Sequence, residues 1–266
     1  MQKKSFDLYL VIIPILKYKF KAKSIHKIDD GDIKQLYHLV FSQLSTIDDS
    51  KIKHLIKQLK KDRSKIKITD LGAGSKLFFN GKIRSIKSIV KSASTYGKYG
   101  KLLAQLIKSY KVNKVIELGT SLGIGSCYMA MFNPDTTIYS IEGCQQIKNK
   151  AEDNLSNLGI NNVHLFLGEF NQTLDKVIAL SSVPSMVYID GDHTYKSTIK
   201  YFNYFINKTA NNTILVFDDI YWSRGMYKAW LKIIAHPSSK LTVDLFRMGI
   251  VFIDSNLDKK HFIVKF

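Results

Sequence analysis

The sequence predicts an α/β fold in which a doubly wound, mostly parallel sheet follows a helical N-terminal extension. From residue 112 onwards, short runs rich in β-branched residues alternate with segments of helical spacing, which is typical of a parallel sheet covered on both faces. Before residue 96 the apolar residues recur at helical spacing instead. We therefore divide the chain into a basic, mainly helical extension at 1–95 and an α/β domain at 96–266.

The extension is predicted to be helical over most of its length. Apolar residues recur three and four positions apart within Ile33–Val40 and again within Ile52–Leu59, so that each segment has one face to bury. Residues 62–82 contain several glycines and are predicted to be a loop. Residues 83–109 again predict helix, interrupted at Tyr96–Gly100. We expect this extension to form a lid or a substrate platform.

The α/β domain is predicted from strands and helices that follow one another in turn. Strands are predicted at 112–118, 137–141, 163–167, 185–190 and 213–218. Helices are predicted at 125–132, 144–158, 194–206 and 224–235. The run 241–253 is interpreted as an antiparallel hairpin that closes the sheet.

The composition favours a globular protein of a reducing compartment. A chain of 266 residues can bury a core without disulfides or a structural metal. Cys127 and Cys144 have no partner at metal-ligand spacing and make no disulfide framework, so we expect a cytoplasmic protein. The apolar run at 8–16 is far shorter than the roughly 20 residues that span a bilayer. The oligomeric state stays open, a homodimer included.

The formal net charge of +18 is concentrated in the extension, where 21 Lys and Arg face 8 Asp and Glu for a net of +13. Such asymmetry occurs in proteins that bind nucleic acids or anionic membranes. The alternative is a compositional bias. Lys, Ile, Asn, Ser and Tyr are abundant, and only four of the 40 cations are Arg, the preferred residue for phosphate and base contacts. We favour the bias and keep nucleic-acid binding as the alternative.

The segment Glu117–Gly125 predicts a turn that receives a nucleoside-like ligand. Its glycines let the backbone turn tightly and let a ligand approach the N-terminus of the following helix. Their spacing is G-x-x-x-G-x-G, which differs from the dinucleotide pattern G-x-G-x-x-G. Glu117 argues against a pyrophosphate, because a carboxylate repels phosphate but attracts the ammonium group of a methionine moiety.

Glu142 ends the second strand of the predicted sheet, 19 residues after Gly123. An acidic side chain at this point can accept hydrogen bonds from both ribose hydroxyls of a nucleoside. The alternative is that Glu142 only caps the helix that follows. We favour the ribose role, because the strand, the glycine turn and the carboxylate coincide.

A second acidic and glycine-containing segment lies at Thr69–Ser75. The apolar run before it is short, and no later strand ends in a carboxylate at the right distance. We therefore interpret it as a structured loop and not as a second cofactor site.

Three aspartates follow the ends of two neighbouring strands. Asp190 ends the fourth strand, and Asp218 and Asp219 end the fifth. The carboxyl ends of neighbouring parallel strands meet over one crevice, so these side chains are expected to converge beside the cofactor. Carboxylates packed together repel unless a cation neutralises them, and Mg²⁺ with oxygen ligands is the simplest candidate. Alternatively, the aspartates cap helices.

His193 is the candidate general base of the predicted site. It lies three residues after Asp190 and titrates near neutral pH, so it can take a proton from a substrate hydroxyl. The alternative is that His193 orients the substrate or another side chain. Tyr221 and Trp222, which directly follow the aspartates, are candidates for the acceptor pocket or are ordinary core aromatics.

Together these residues resemble the class I S-adenosylmethionine-dependent methyltransferases, which are Rossmann-like. More narrowly, they resemble the branch of catechol-O-methyltransferase-like and macrocin- or novobiose-type sugar O-methyltransferases. The resemblance lies in Val115–Gly125, Ile141–Gly143, Val187–His193 and Val216–Asp219, with Tyr99–Leu103 upstream, and covers residues 96–254. It implies a seven-stranded sheet with one antiparallel strand.

The resemblance also implies S-adenosylmethionine as methyl donor and a set of residue roles. It implies that the cofactor is bound by Glu117, Gly119, Ser121, Gly123, Glu142, Gly143, Phe170 and Asp190. In metal-dependent members, Mg²⁺ is held by aspartates that match Asp190, Asp218 and Asp219. Sugar-modifying members have a catalytic histidine at the place of His193, where catechol-type members use lysine.

The sequence therefore predicts an O-methyltransferase that acts on a hydroxyl of a small molecule or sugar with the help of Mg²⁺. Two alternatives stay open. One is an RNA methyltransferase that uses the basic extension as a platform, and the other is a non-catalytic protein that retains the fold.

Overall fold

A computed structural model describes residues 14–68, 83–92, 96–181, 183–208 and 210–266. The glycine-containing segment Thr69–Ser75 lies outside these residues, as does most of the apolar run at 8–16. The predictions made for those two segments are therefore not compared with the structure.

The described helices agree with the predicted ones to within a few residues. They are α1 (14–21), α2 (Gly31–Leu39), α3 (Ser50–Leu59), α4 (Ile86–Ser92), α5 (Lys98–Ser109), α6 (Ile124–Met131), α7 (Gln145–Asn157), α8 (Phe170–Ser181), α9 (Tyr195–Lys208) and α10 (Arg224–Ala235). Short 3-10 helices lie at Ile25–Lys27 and Phe41–Thr46.

The strands form a small sheet and a large one. They are β1 (Lys65–Lys67), β2 (Ile83–Ser85), β3 (Lys114–Leu118), β4 (Thr137–Glu142), β5 (Val163–Leu167), β6 (Met186–Ile189), β7 (Thr213–Phe217), β8 (Leu241–Asp244), β9 (Gly249–Ile253) and β10 (Lys260–Ile263). Strands β1 and β2 pair antiparallel, and the large sheet has the order β10-β8-β9-β7-β6-β3-β4-β5.

The fold class is confirmed, and the strand count is corrected. The large sheet has eight strands, because β10 pairs parallel with β8 beyond the predicted hairpin. The hairpin itself forms as predicted, since β9 pairs antiparallel with both β7 and β8. Strand β1 also corrects the prediction of a loop over all of 62–82.

The chain divides into two compact units. The central unit comprises residues 38–192, and the terminal unit comprises residues 1–37 with 193–266. These limits fall after Tyr37 and after Asp192, so a domain boundary at residue 95 remains a prediction.

In the central unit, β3 pairs parallel with β4 and β6, and β4 pairs parallel with β5. Strand β3 is apolar apart from its ends and Glu117, as expected of a strand covered on both faces. Helix α3 buries the apolar side of its sequence in one core cluster together with α4 and α6. The carboxyl ends of the strands thereby lie at one edge, where β3 leads into the glycine turn.

In the terminal unit, the residues before α2 join the strand β10. Lys23 forms an isolated parallel bridge with Val264, and the Tyr18 hydroxyl donates to the Val264 carbonyl oxygen at 2.7 Å. Lys260 of β10 lies 3.0 Å from Asp30 and 2.8 Å from Asp32. The start and the end of the chain therefore share one unit. Among the described helices, none is long and apolar enough to cross a membrane.

Candidate active site

The glycine turn after β3 depends on glycine at two positions. Gly119 has φ +103°, and a Cβ atom there would lie 2.8 Å from the carbonyl carbon of Asp190. Gly123 has φ +76° and precedes α6, where a Cβ atom would lie 3.3 Å from the Ala151 Cβ. Other side chains are strained at such φ values and would collide with the backbone of residue 190. The turn thus brings the main chain close to the loop that follows β6.

Ser121 and Glu142 tie the glycine turn to the end of β4. The Ser121 N–H donates to Glu142 Oε2 at 2.9 Å, and the Cys144 N–H donates to Oε1 at 2.9 Å. Glu142 is half-buried, and burial raises the pKa of its carboxyl group above the ordinary value. Carboxylate oxygens have more than one lone pair, so Glu142 can accept further hydrogen bonds. Its role toward ribose hydroxyls remains a prediction.

Glu117 faces the interior of the central unit. Its side chain is 1% exposed, and Oε2 accepts hydrogen bonds from the hydroxyls of Ser126 and, at 2.5 Å, Ser140. Ser140 also bonds with the Thr120 hydroxyl at 2.6 Å. Burial raises the pKa of Glu117 to about 7. The sequence analysis missed this network, and the role of Glu117 beside a methionine ammonium group remains a prediction.

Phe170 and Asp190 lie where the predicted cofactor site continues. Phe170 begins α8, and a Cβ atom on Gly191 would lie 2.6 Å from its ring, so the ring packs directly against the main chain after β6. The Tyr188 hydroxyl donates to Asp190 Oδ2 at 3.0 Å. Gly143 follows Glu142 in the bend between β4 and α7. Within the central unit, every predicted cofactor-binding residue therefore lies on the glycine turn or on the loops after β4, β5 and β6.

The terminal unit contains the remaining predicted site residues. Asp218 is fully buried after β7, and Asp219 follows with φ +53° while its N–H donates to Asp218 Oδ1 at 2.8 Å. His193 Nε2 lies 4.0 Å from Asp219 Oδ2. Burial raises the pKa of Asp219, and the neighbouring Asp218 adds to the effect. The positions of His193 and Asp219 would let the carboxylate orient the imidazole ring.

Arg247 is a site residue that the sequence analysis missed. It lies in the loop between β8 and β9, and its Nε is 3.3 Å from Asp219 Oδ1 and 3.8 Å from Asp218 Oδ1. A guanidinium group therefore already supplies one positive charge beside this pair of carboxylates. Arg247 follows Asp219 by 28 residues, so only the predicted hairpin and the scarcity of Arg could have pointed to it.

The residues predicted to bind Mg²⁺ do not form a metal site in this arrangement. Within the described ranges, no group of three or more His, Cys, Asp or Glu side chains is placed to hold a metal ion. Asp190 belongs to the central unit, whereas Asp218 and Asp219 belong to the terminal unit. A cation bound to the latter two would also lie close to the Arg247 guanidinium, which would repel it.

The two aromatic residues after the aspartates differ in accessibility. The Tyr221 hydroxyl donates to the buried Asp244 at 2.8 Å, and its ring stacks on Phe246 with centroids 5.3 Å apart. Trp222 is 52% exposed. Tyr221 is thus a core aromatic of the terminal unit, and Trp222 alone of the two is available to an acceptor.

A comparison with protein families agrees with this geometry. A family described as a methyltransferase domain matches residues 116–220, which run from β3 through the glycine turn, Glu142 and Asp190 to the end of β7. This segment of the chain is therefore similar to methyltransferase domains. No curated protein matches the sequence.

Solved methyltransferase structures share the fold at low sequence identity. An O-methyltransferase from Bacillus cereus in complex with SAH superposes with a TM-score of 0.58 at 13% identity, covering 83% of this chain and 96% of that chain. The O-methyltransferase TomG from Streptomyces achromogenes, involved in tomaymycin synthesis and solved with SAM, gives a TM-score of 0.52 at 16% identity, covering 61% of this chain and 82% of that chain. A putative caffeoyl-CoA O-methyltransferase from Staphylococcus aureus gives 0.55 at 16%, covering 77% and 100%.

Proposed function

We propose that this protein transfers a methyl group from S-adenosylmethionine to a hydroxyl oxygen of a small molecule or sugar. The observation that carries the proposal is the Glu142 carboxylate, which accepts hydrogen bonds from the main-chain N–H groups of Ser121 in the glycine turn and of Cys144. Several of the structural neighbours are O-methyltransferases, which supports oxygen as the acceptor atom.

In this proposal the central unit binds the cofactor. Glu142 accepts both ribose hydroxyls, and the main chain of Gly119, Ser121 and Gly143 approaches the adenosyl and methionine portions. The Phe170 ring, packed on the chain after β6, is an apolar surface for the adenine. The buried network around Glu117 supports the turn from behind, since Thr120 belongs to that turn and bonds with Ser140.

When bound, S-adenosylmethionine supplies an electrophilic methyl group on a sulfonium centre. His193 would take the proton of the acceptor hydroxyl and so make its oxygen a better nucleophile toward that methyl group. Asp219 Oδ2 lies 4.0 Å from His193 Nε2, so its charge can act on the imidazole ring. Most of the remaining rate enhancement is expected from the positioning of the two reactants.

We derive no step through Mg²⁺. Arg247 lies beside the carboxylates of Asp218 and Asp219, and no group of metal ligands occurs among the described residues. In this proposal the Arg247 charge lowers the pKa of Asp219 against the opposing effect of burial, which favours a carboxylate that can act on His193.

The test of the proposed function is the substitution Glu142→Gln. An amide keeps one acceptor oxygen but turns an NH₂ group toward the N–H of Ser121 or Cys144, so the ribose loses a partner and one donor is unpaired. We expect the affinity for S-adenosylhomocysteine to fall roughly 10- to 100-fold, as for the loss of a hydrogen bond to a charged group. Isothermal titration calorimetry on the full chain measures it.

Glu152→Gln is the matched control for this test. It makes the same chemical change on α7, where Glu152 is exposed and pairs with Lys148. The control should bind within about twofold of the wild type, since such surface pairs contribute little. If the Glu142→Gln variant is folded and binds S-adenosylhomocysteine as tightly as the wild type, Glu142 does not bind the cofactor.

A further inference from the structure

A cavity of about 360 Å³ opens on the central unit, away from any residue to which a role has been given above. It is lined by Lys53, Ile56, Lys57, Lys60, Lys61, Tyr96, Gly97 and Tyr128. Its volume falls within the roughly 300–1,000 Å³ of small-molecule pockets. Four of its eight lining residues are lysines and none is acidic, so the cavity favours an anion.

The lysines reach the cavity because helix α3 is amphipathic. Ile52, Leu55, Ile56 and Leu59 point into the core, Lys53 and Lys57 lie on the other side of α3, and Lys60 and Lys61 directly follow its end. Lys53 and Lys57 place like charges one helical turn apart. Such pairs destabilise a helix slightly, so a bound anion would relieve the repulsion.

The floor and one wall of the cavity are held by a buried network. The Tyr128 hydroxyl donates to Asp49 at 2.7 Å and accepts from the Gly97 N–H at 3.1 Å. Asp49 is also 2.9 Å from Lys53 and 3.3 Å from Lys101, so its charge is already balanced. Lys60 lies 4.9 Å from the centroid of the Tyr96 ring.

Two lysines of the cavity have no acidic partner in the described part of the chain. Within the described residues, the ion pairs of this region involve Lys53 and Lys101 but neither Lys57 nor Lys61. These two ammonium groups, with Lys60, leave three positive charges around a concave space. A phosphate group with its several oxygens and its negative charge is the ligand that such a group of donors favours.

We propose that this lysine cavity binds a small ligand that carries two or more phosphate groups. The concave shape, the aromatic wall at Tyr96 and the grouping of the lysines within residues 53–61 favour a small ligand over an extended strand. The ligand can be a free polyphosphate or a phosphorylated metabolite, because the shared chemistry is the linked phosphates. This site goes beyond methyl transfer and does not depend on it.

The experiment titrates the full chain with inorganic tripolyphosphate and, separately, with a uridine 12-mer, by isothermal titration calorimetry. The variant is Lys57→Gln with Lys61→Gln, which removes the two charges without an acidic partner. The matched control is Lys228→Gln with Lys232→Gln, two exposed lysines four residues apart on α10. Both variants change the net charge equally, so a non-specific charge effect would be the same in each.

The wild type should bind tripolyphosphate saturably with a Kd below about 1 mM. The Lys57/Lys61 variant should bind at least roughly tenfold more weakly, and the control within about twofold of the wild type. Absence of saturable binding, or an equal loss in the control, overturns the proposal. Binding of the 12-mer that requires Lys57 and Lys61, without binding of tripolyphosphate, overturns the small-ligand assignment in favour of a nucleic-acid surface.

Discussion

At the scale of single residues, Glu117 and Glu142 show how environment separates two carboxylates of one site. Glu117 lies on β3 and Glu142 on the neighbouring strand β4, and burial raises the pKa of each carboxyl group. Glu142 is bonded to main-chain N–H groups and can face a ligand, whereas Glu117 is enclosed and bonded to two serine hydroxyls. We infer that Glu142 acts in its ionised form, while Glu117 changes its protonation state near neutral pH.

Glu117 is expected to lower the stability of the protein as the pH rises. Its pKa in the folded chain is about 7, whereas an exposed glutamate titrates near 4.3. Between these pH values the folded chain holds a proton that the unfolded chain has lost, so stability is highest below about pH 4.3 and falls until about pH 7. The shift corresponds to at most about 4 kcal/mol.

Glu117→Gln isolates this effect. The amide oxygen can accept both hydroxyls, which in the wild type bond to a single carboxylate oxygen, and the amide does not titrate. We measure the free energy of unfolding in urea at several pH values. Between pH 5 and pH 8, this free energy should rise for the variant relative to the wild type. Other titrating groups cancel in the difference between the two chains. Parallel stability curves would mean that Glu117 is ionised throughout, against the raised pKa.

A site residue could be predicted where its own stretch of sequence requires that residue type, and could not where its role depends on partners distant in sequence. Gly119 and Gly123 were predicted from spacing, because a tight turn before a helix imposes glycine on the sequence itself. Arg247 carries no such signal, since its position beside Asp219 exists only once β9 is paired with β7. The inward direction of Glu117 likewise depends on Ser126 and Ser140, which lie on two other elements.

At the scale of elements, the packing of α5 against α6 depends on Gly100. A Cβ atom at this position would lie 2.6 Å from Cγ of the Tyr128 ring. The ring is fully buried and its hydroxyl is held by Asp49 and Gly97, so it cannot move aside without loss of both bonds. We expect Gly100→Ala to destabilise the protein by about 1–3 kcal/mol, the usual effect of overpacking a core.

Gly31→Ala is the control for Gly100→Ala. Gly31 begins α2, and a Cβ atom there would meet nothing within 4 Å. Alanine is the better helix former by about 1 kcal/mol, so this substitution should be neutral or stabilising. Thermal or urea unfolding of both variants measures the difference. If the Gly100→Ala variant is as stable as the wild type, α5 does not pack on Tyr128 as described.

The elements that could be predicted are those with their own periodicity. Helix α10 was predicted over 224–235 and is observed at Arg224–Ala235, because its apolar face is complete within the segment. Strand β10 and the pair β1–β2 were missed. Each of these strands has only three or four residues, mostly partly exposed, and becomes a strand through partners distant in sequence.

At the scale of the whole molecule, the net charge of +18 acts on every polyanion the protein meets. A cationic surface binds nucleic acid without regard to its sequence, mainly by releasing counterions. Such binding is distinct from a catalytic site for RNA, which would also need contacts to bases. Arginine is the residue that most often contacts bases, and only four of the 40 cationic side chains of this protein are arginines.

We therefore expect RNA to bind this protein without being methylated by it. Between about 50 and 200 mM salt, affinity for bulk RNA should fall at least roughly tenfold, because each phosphate contact releases a counterion. Incubation with S-adenosylmethionine labelled on its methyl group should leave no label on the RNA at any salt concentration, whereas small hydroxylated acceptors are the expected sites of label. Binding follows from charge alone, but methyl transfer requires an oxygen within reach of His193. Label on RNA that survives high salt would contradict this view and favour an RNA methyltransferase.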